Sequence, residues 1–244
     1  MRVRRGYLLL GLCGLGLLAL DHTQRSLYIT QAPVLASEFR QGDKGPLLQA
    51  ILISGQGLDQ AETATSRRDV ARCTEALKEY HAGRLQITTL VPGRPDSTSE
   101  RALELISTRN CDHLVIFMTG HGGGRNFGGV GGFNLTRDAF AKALGRSQFQ
   151  RATVVIDCCW SGEFARSLEQ HSFPGQVALV TSTDASHPSP FPVSFLSFDS
   201  FGKTYFENWT GDDAEAFRRT NAQRKKLKWF YSQRFGLLGV HKVL

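Results

Sequence analysis

The sequence predicts an α/β protein, a three-layer α/β/α sandwich around a mostly parallel central sheet. The largely apolar runs at 114–118 and 153–156 are typical of strands that are buried on both faces of a sheet. Between such runs lie segments whose apolar residues recur at helical spacing. Strands that alternate with helices form βαβ units, and the strands of such units pair in parallel.

The other elements follow from the same patterns. Further strands are predicted at 50–53, 85–91 and 177–181. Helices are predicted, from apolar spacing or a capping residue, at 66–80, 102–106, 136–144 and 214–230. We interpret the glycine-rich segment 122–132 as a mobile loop beside a cleft, because it lacks the glycine motifs of phosphate-binding loops. The Ser/Pro/Phe-rich segment 186–200 is expected to be irregular.

Composition and charge exclude several classes of protein. Of the 244 residues, 41% are hydrophobic and 10% aromatic, enough for a packed core. The formal net charge of +7 lies at the ends, since residues 1–26 carry +3 and residues 201–244 carry +5. The body between them is nearly neutral. Because a protein that grips a polyanion carries its basic residues on the functional domain, we expect no nucleic-acid partner.

The amino terminus has the order of an export signal. Arg2, Arg4 and Arg5 precede an apolar run at 7–20, as in a secretory signal peptide, with a buried N-terminal helix as the alternative. We therefore expect an exported protein, periplasmic or secreted, or one anchored to a membrane by this segment. The predicted division of the chain is a signal or anchor at 1–22, a linker at 23–48, one folded domain at 49–230 and a tail at 231–244.

The cysteines outside the amino terminus are too few for a disulfide scaffold in a chain of this length. Cys73 and Cys111 could form one disulfide. Zinc bound by these two cysteines with His81 and His113 is an alternative, but the four lack the paired ligand spacing of structural zinc sites. We therefore predict no metal site.

A histidine and a cysteine follow two successive predicted strands at the same distance. His121 lies three residues beyond Met118, and Cys159 lies three residues beyond Ile156. Since parallel neighbours end at the same edge of a sheet, we expect the two side chains to lie together at its carboxyl edge. A thiol beside an imidazole is the arrangement used for nucleophilic catalysis. The backbone amides of Gly122 and Cys159 are candidates for an oxyanion hole.

The segments around these two residues resemble the catalytic motifs of caspase-like cysteine peptidases. Thr119-Gly120-His121-Gly122 is similar to the Ser-Gly-His-Gly of metacaspases, and Asp157-Cys158-Cys159-Trp160-Ser161-Gly162 to their Asp-x-Cys-His-Ser-Gly. Legumain-like peptidases have a related pair of motifs. The chain departs from metacaspases at Trp160, where they usually have histidine, and at Thr119, which keeps the hydroxyl of their serine.

The resemblance implies a caspase-like fold and hydrolysis of peptide bonds through an acyl-enzyme intermediate. It makes His121 the catalytic histidine and Cys159 the nucleophile, with Cys158 ending its strand toward the core. We therefore predict a cysteine endopeptidase whose partner is a polypeptide substrate and which needs no cofactor, with calcium activation left open because some metacaspases have it. The alternative is a catalytically silent caspase-fold domain that binds peptides or protein partners.

The resemblance also bears on the P1 residue, the substrate residue that precedes the scissile bond. In metacaspases the Asp two residues before the nucleophile lines an acidic P1 pocket; here it is Asp157, and Asp69 is the candidate second acid. Caspases and legumain place an arginine in the region of Asp69, where Arg67 and Arg68 are available, and such an arginine would suit a neutral amide such as Asn. We predict a basic P1 residue. Further candidates for substrate binding are Arg68, Ser182 and Asp184.

Overall fold

Helices and strands alternate along the chain in a computed structural model that describes residues 26, 29–128, 132–189, 200–225 and 239–244. The strands are β1 Glu38–Gln41, β2 Leu47–Ser54, β3 Arg84–Leu90, β4 Asn110–Thr119, β5 Gly122–Gly123, β6 Asn126–Gly128, β7 Asn134–Thr136, β8 Gln148–Asp157, β9 Gln176–Thr181 and β10 Val240–Val243. The helices are α1 Gln60–Tyr80, α2 Ser99–Ser107, α3 Arg137–Leu144, α4 Gly162–Leu168, α5 Phe201–Asn208 and α6 Asp213–Lys225.

Seven strands form one sheet in the order β1-β3-β2-β4-β8-β9-β10. The inner strands are parallel, and β1 and β10 are antiparallel edges. Successive residues of a strand face opposite sides, so Ile116 packs with α2, α3 and α4, while Phe117 packs with α1, α5 and α6. The predicted three-layer sandwich around a mostly parallel sheet is confirmed.

The sheet extends beyond the predicted limits of the domain. β1 lies in the segment 23–48 that was expected to be a linker, and β10 lies in the expected tail 231–244. β1 pairs with β3, and β10 pairs with β9. Each is a strand of four residues, which is too short to show the periodic pattern that identifies a strand from sequence.

Several elements differ from the sequence prediction. α1 begins at Gln60 rather than at 66, because Asp59 caps it by accepting the Glu62 amide at 2.9 Å. The described part of the glycine-rich segment is not a loop, because it forms β5 and β6, which pair with β7 in an antiparallel sheet. Phe127 and Leu135 are buried cross-strand partners in that sheet. α4 and α5 have no counterpart among the predicted elements.

The described cysteines are free. Cys73 packs in the core between the sheet and α1, whereas Cys111 packs on the opposite face. The sheet separates the two residues, so the disulfide considered from the sequence does not form. Within the described ranges, no cluster of three or more His, Cys, Asp or Glu is arranged to hold a metal ion.

Several predictions fall outside the described residues. They are the signal or anchor at 1–22, the part of the helix 214–230 beyond Lys225, and all but the ends of the segment 186–200. Among the helices that the structure describes, none combines the length and apolar character needed to cross a membrane.

Candidate active site

His121 and Cys159 emerge at the same edge of the sheet. Met118 on β4 is the Cα partner of Ile156 on β8, and the next pair is Thr119 with Asp157. The histidine and the cysteine each follow their strand by two positions, at the carboxyl ends of neighbouring parallel strands. The register expected from the sequence is therefore the register observed.

The two segments are packed against each other at Gly122. A Cβ atom at this position would lie 2.5 Å from Cys158 Sγ and 3.0 Å from the Cys159 carbonyl oxygen. Only glycine permits so close an approach. The residue that follows the histidine is thus in direct contact with the pair of cysteines.

His121 is oriented by a carboxylate from α1. Its Nε2 lies 2.7 Å from Glu62 Oε2, and both side chains are largely shielded from solvent. Because an ionised carboxylate only accepts hydrogen bonds, Nε2 carries a proton in this contact. The Leu58 amide lies 3.2 Å from Nε2 and 2.6 Å from Oε2. We assign this amide to Glu62, since a protonated Nε2 cannot accept it. A carboxylate in this position fixes the ring and stabilises the imidazolium.

Glu62 is absent from the candidates that the sequence supplied, although a signal for it exists. Asp59-Gln60-Ala61-Glu62 is a capping residue followed three positions later by Glu, a pattern that marks the start of a helix. α1 follows the carboxyl end of β2, and β2 is the neighbour of β4. A carboxylate in the first turn of α1 can therefore reach the histidine after β4. A helix that starts at 66 does not include Glu62, so the predicted helix did not bring this carboxylate near His121.

Cys159 is half-buried, and its thiol donates to the Ser189 carbonyl oxygen over 3.6 Å. Burial raises the pKa of this thiol, and the negative charges of Asp157 and Glu62 act in the same direction. The resting group at neutral pH is therefore the thiol. A base must take its proton before it can act as a nucleophile.

Cys158 points in the opposite direction, into the core that contains α4. It is 1% exposed, and burial raises the pKa of its thiol well above the ordinary value. Such a thiol cannot reach a substrate and packs as a small apolar side chain. Of the two adjacent cysteines, Cys159 is the one placed to react.

The residue after Cys159 has an unusual backbone conformation. Trp160 has φ of 54°, in the left-handed region that bulky residues rarely adopt. Its amide donates to the His187 carbonyl at 3.1 Å, and its carbonyl accepts the Glu163 amide at 3.0 Å. Strain of this kind persists only where the surroundings hold it, and it is concentrated at functional sites. Here the turn leaves Cys159 and Trp160 outside the core while Cys158 stays within it.

The two candidate oxyanion donors are not used by strand pairing. Gly128 N donates to the His121 carbonyl at 2.8 Å, beside the pair formed by Gly122 and Phe127. That bond makes Gly122 and Phe127 a non-hydrogen-bonded pair, so the Gly122 amide is directed away from β6. The Cys159 amide lies beyond the end of β8 and donates no hydrogen bond within the described part of the chain.

Asp69, the candidate second acid of the P1 pocket, is buried at 1% exposure. Its Oδ2 accepts the Thr119 hydroxyl at 3.1 Å, and its Oδ1 accepts the Ser200 hydroxyl. Burial raises its pKa well above the ordinary value, and the charge of Asp157 adds to this effect. Thr119 thus keeps the hydroxyl expected at this position, but that hydroxyl is hydrogen-bonded to Asp69.

Asp157, the candidate first acid, is 6% exposed. Its Oδ2 accepts the Gly202 amide at 2.8 Å, and its Oδ1 accepts the Ser189 hydroxyl at 3.4 Å. Burial raises its pKa, and the positive charge of Arg224 opposes that rise. Arg224 is itself buried, over the Phe201 ring. Donors from the start of α5 thus occupy both acids, and a basic P1 side chain would have to replace them.

Of the remaining substrate-binding candidates, Ser182 and Asp184 follow β9, and Arg68 is in α1. Ser182 is completely buried and donates to the Cys158 carbonyl oxygen at 3.4 Å. Asp184 accepts His187 Nδ1 at 2.8 Å and so stabilises the loop after β9. Arg68 is half-buried in α1.

Replacing Asp69 by asparagine is expected to stabilise the protein by about 1–2 kcal/mol at about pH 8 and much less at about pH 4. Because burial raises the folded-state pKa of Asp69, the folded protein binds this proton more tightly than the unfolded chain. The wild type therefore loses stability as pH rises through the folded-state pKa. Asparagine does not titrate, and a hydroxyl that donates to aspartate can accept from its amide instead.

Thermal unfolding of both proteins at the two pH values measures this difference. Asp96→Asn is the matched control, because Asp96 is exposed. A stability difference between wild type and Asp69→Asn that is the same at both pH values would contradict a raised pKa of the buried Asp69 carboxyl.

Comparison with solved structures supports the fold. Protein GSU0716 from Geobacter sulfurreducens is 12% identical with a TM-score of 0.55, and the similarity covers 82% of this chain and 93% of that chain. The Arg specific cysteine proteinase gingipain R is 14% identical with a TM-score of 0.48, over 79% of this chain and 45% of that chain. No protein-family model and no curated protein matches the sequence. The first similarity shows a shared fold, and at this identity it assigns no chemistry to the residues above.

Proposed function

We propose that the protein is a caspase-like cysteine endopeptidase that acts through His121 and Cys159. The observation that carries the proposal is their joint position at the carboxyl ends of β4 and β8, in matched register. Three further features support it. Glu62 holds the histidine, Cys159 is accessible while Cys158 is not, and a strained turn at Trp160 follows the nucleophile.

The proposed reaction has two steps. His121 takes the proton of Cys159, and the thiolate attacks the peptide carbonyl carbon to form a tetrahedral oxyanion. The amides of Gly122 and Cys159 would stabilise that oxyanion. The imidazolium, stabilised by Glu62, then protonates the leaving amine as the carbon–nitrogen bond breaks. Water, activated by His121, hydrolyses the resulting thioester and releases the acid.

The finer parts of the proposal are substrate class, cofactors and location. We propose a basic P1 residue because Asp157, two residues before Cys159, interacts with the charge of Asp69, on the condition that the P1 side chain displaces the hydrogen bonds that the start of α5 makes to both acids. The substrate is a polypeptide, and the reaction needs no cofactor, with calcium as a candidate activator. We also propose that the protein is exported or membrane-anchored, on the basis of residues 1–22.

One observation favours a second candidate, a catalytically silent domain of the same fold that binds peptides or partners. Both acids of the P1 pocket are buried and hydrogen-bonded within the chain. A pocket that is closed in this way gives a basic side chain no direct access.

A panel of fluorogenic peptides with Arg, Lys, Asn or Asp at P1 distinguishes the two candidates. We expect cleavage after Arg or Lys by the wild type, with calcium present or absent. Cleavage after Asn would support peptidase activity but would contradict the proposed basic P1 residue. No cleavage of any peptide, including after prior incubation that allows self-processing, would favour the silent domain.

A further inference from the structure

An open groove with a volume of about 360 Å³ runs along α1 beside the candidate dyad. One end of the groove is at Leu58, whose amide donates to Glu62 Oε2 and lies 3.2 Å from His121 Nε2. The lining residues are Ile29, Ala32, Gln56, Gly57, Leu58, Asp59, Gln60, Thr63, Ala64 and Arg67. The groove therefore begins where a bound peptide would meet the histidine.

Arg67 is the cationic side chain of this groove. Its Nε is buried without a hydrogen-bond partner, and within the described residues no carboxylate is paired with it. Arg72, five residues further along α1, also has a buried Nε without a hydrogen-bond partner, but it pairs with Glu75 at 3.4 Å and Glu79 at 3.6 Å. A buried guanidinium nitrogen without an acceptor is costly, because it has lost its water without gaining a partner. Arg67, which has no paired carboxylate among the described residues, is therefore suited to bind an anionic ligand.

The length of the groove sets how far such a ligand lies from the scissile bond. Gln60, Thr63, Ala64 and Arg67 are spaced to share one face of α1. At about 1.5 Å of rise per residue, Gln60 and Arg67 are separated by about 10 Å along the helix. An extended peptide covers that distance in about three residues at about 3.3 Å each.

We propose that this groove is a substrate subsite in which Arg67 binds the carboxylate of an Asp or Glu two to four residues from the scissile bond. This inference rests on the proposed peptidase function and adds a determinant of specificity to it. Asp59 also lines the groove, but it lies at the opposite end, where its carboxylate accepts the Glu62 amide. Gln56 and Gln60 contribute neutral amides, which leaves Arg67 as the charge that selects the ligand.

The test uses peptides that share the best P1 residue and carry Glu or its neutral isostere Gln at each position from P4 to P2 and from P2′ to P4′. The wild type should cleave the Glu peptide with about tenfold higher kcat/KM at one of these positions, the size expected for a hydrogen bond to a charged group. Arg67→Met keeps most of the side-chain stem and should abolish the preference. Arg72→Met is the matched control on the same helix and should retain it.

Equal cleavage of Glu and Gln peptides at every position by the wild type would overturn the subsite, and so would a preference that persists in Arg67→Met. Binding of the same labelled peptides to Cys159→Ala, measured by fluorescence anisotropy, separates this failure from that of the proposed function. If no peptide is cleaved but the Glu peptide binds about tenfold more tightly than the Gln peptide, and Arg67→Met removes this difference, the binding site at Arg67 is supported and the peptidase proposal is contradicted. If no peptide is cleaved and the Glu and Gln peptides bind equally, both the binding site at Arg67 and the peptidase function are contradicted.

Discussion

Cys159→Ala should lower kcat/KM for the best peptide by at least about a thousandfold, because it removes the atom that forms the acyl-enzyme bond. Cys158→Ala should retain activity within about tenfold, since that thiol lies in the core and loses only packing. Hydrolysis of the fluorogenic peptide by the two purified variants measures the effect.

Thermal unfolding of the two cysteine variants shows whether a loss of activity comes from a loss of stability. Cys158 touches Gly122, so its replacement is expected to lower stability by about 1 kcal/mol, whereas Cys159→Ala should change stability less. Loss of activity in a folded Cys158→Ala together with activity in Cys159→Ala would show that the other thiol is the nucleophile.

Glu62→Gln should lower kcat by about a hundredfold or more and change KM little. The substitution removes the charge that stabilises the imidazolium, and its amide can hold the ring in the wrong tautomer. Glu62 acts through His121 and is therefore a positioning residue. Because the negative charge of Glu62 also raises the pKa of Cys159, the pH profile of Cys159 alkylation by iodoacetamide should shift to lower pH in this variant.

Glu75→Gln is the matched control for Glu62. It lies on the same helix and also pairs with a basic side chain, Arg72, but far from the dyad. It should leave kcat and the alkylation profile unchanged. An equal loss of kcat in both variants, or an unshifted alkylation profile in Glu62→Gln, would reduce Glu62 to a helix-capping role.

The sequence was sufficient to predict the inner strands of the sheet and the edge at which His121 and Cys159 both lie. Parallel inner strands are predicted from largely apolar runs, and equal spacing after Met118 and Ile156 places His121 and Cys159 at one height. These relations depend on local pattern and on the rule that parallel strands end together. The same local pattern could not reveal β1 and β10, whose places depend on pairing with distant strands.

The surroundings of the dyad depend on long-range packing and were less predictable. Asp69 and Asp157 were expected to line a pocket, but the start of α5 covers them with Ser200 and Gly202. These contacts join residues that lie far apart in the chain, and the periodicity of apolar residues does not predict them. Glu62 was missed for a different reason, since its signal was a capping pattern that assigns a helix start and carries no mark of catalysis.

The most direct measurement of the central claim is the site of covalent trapping. An acyloxymethyl ketone built on the best-cleaved peptide should inactivate the protein and add one inhibitor mass, and fragmentation of the labelled peptide should place the adduct on Cys159. His121→Ala should slow the labelling, because the thiolate then forms without its base. An adduct on Cys158, or full inactivation with no cysteine modified, would contradict the assignment of Cys159 as the nucleophile.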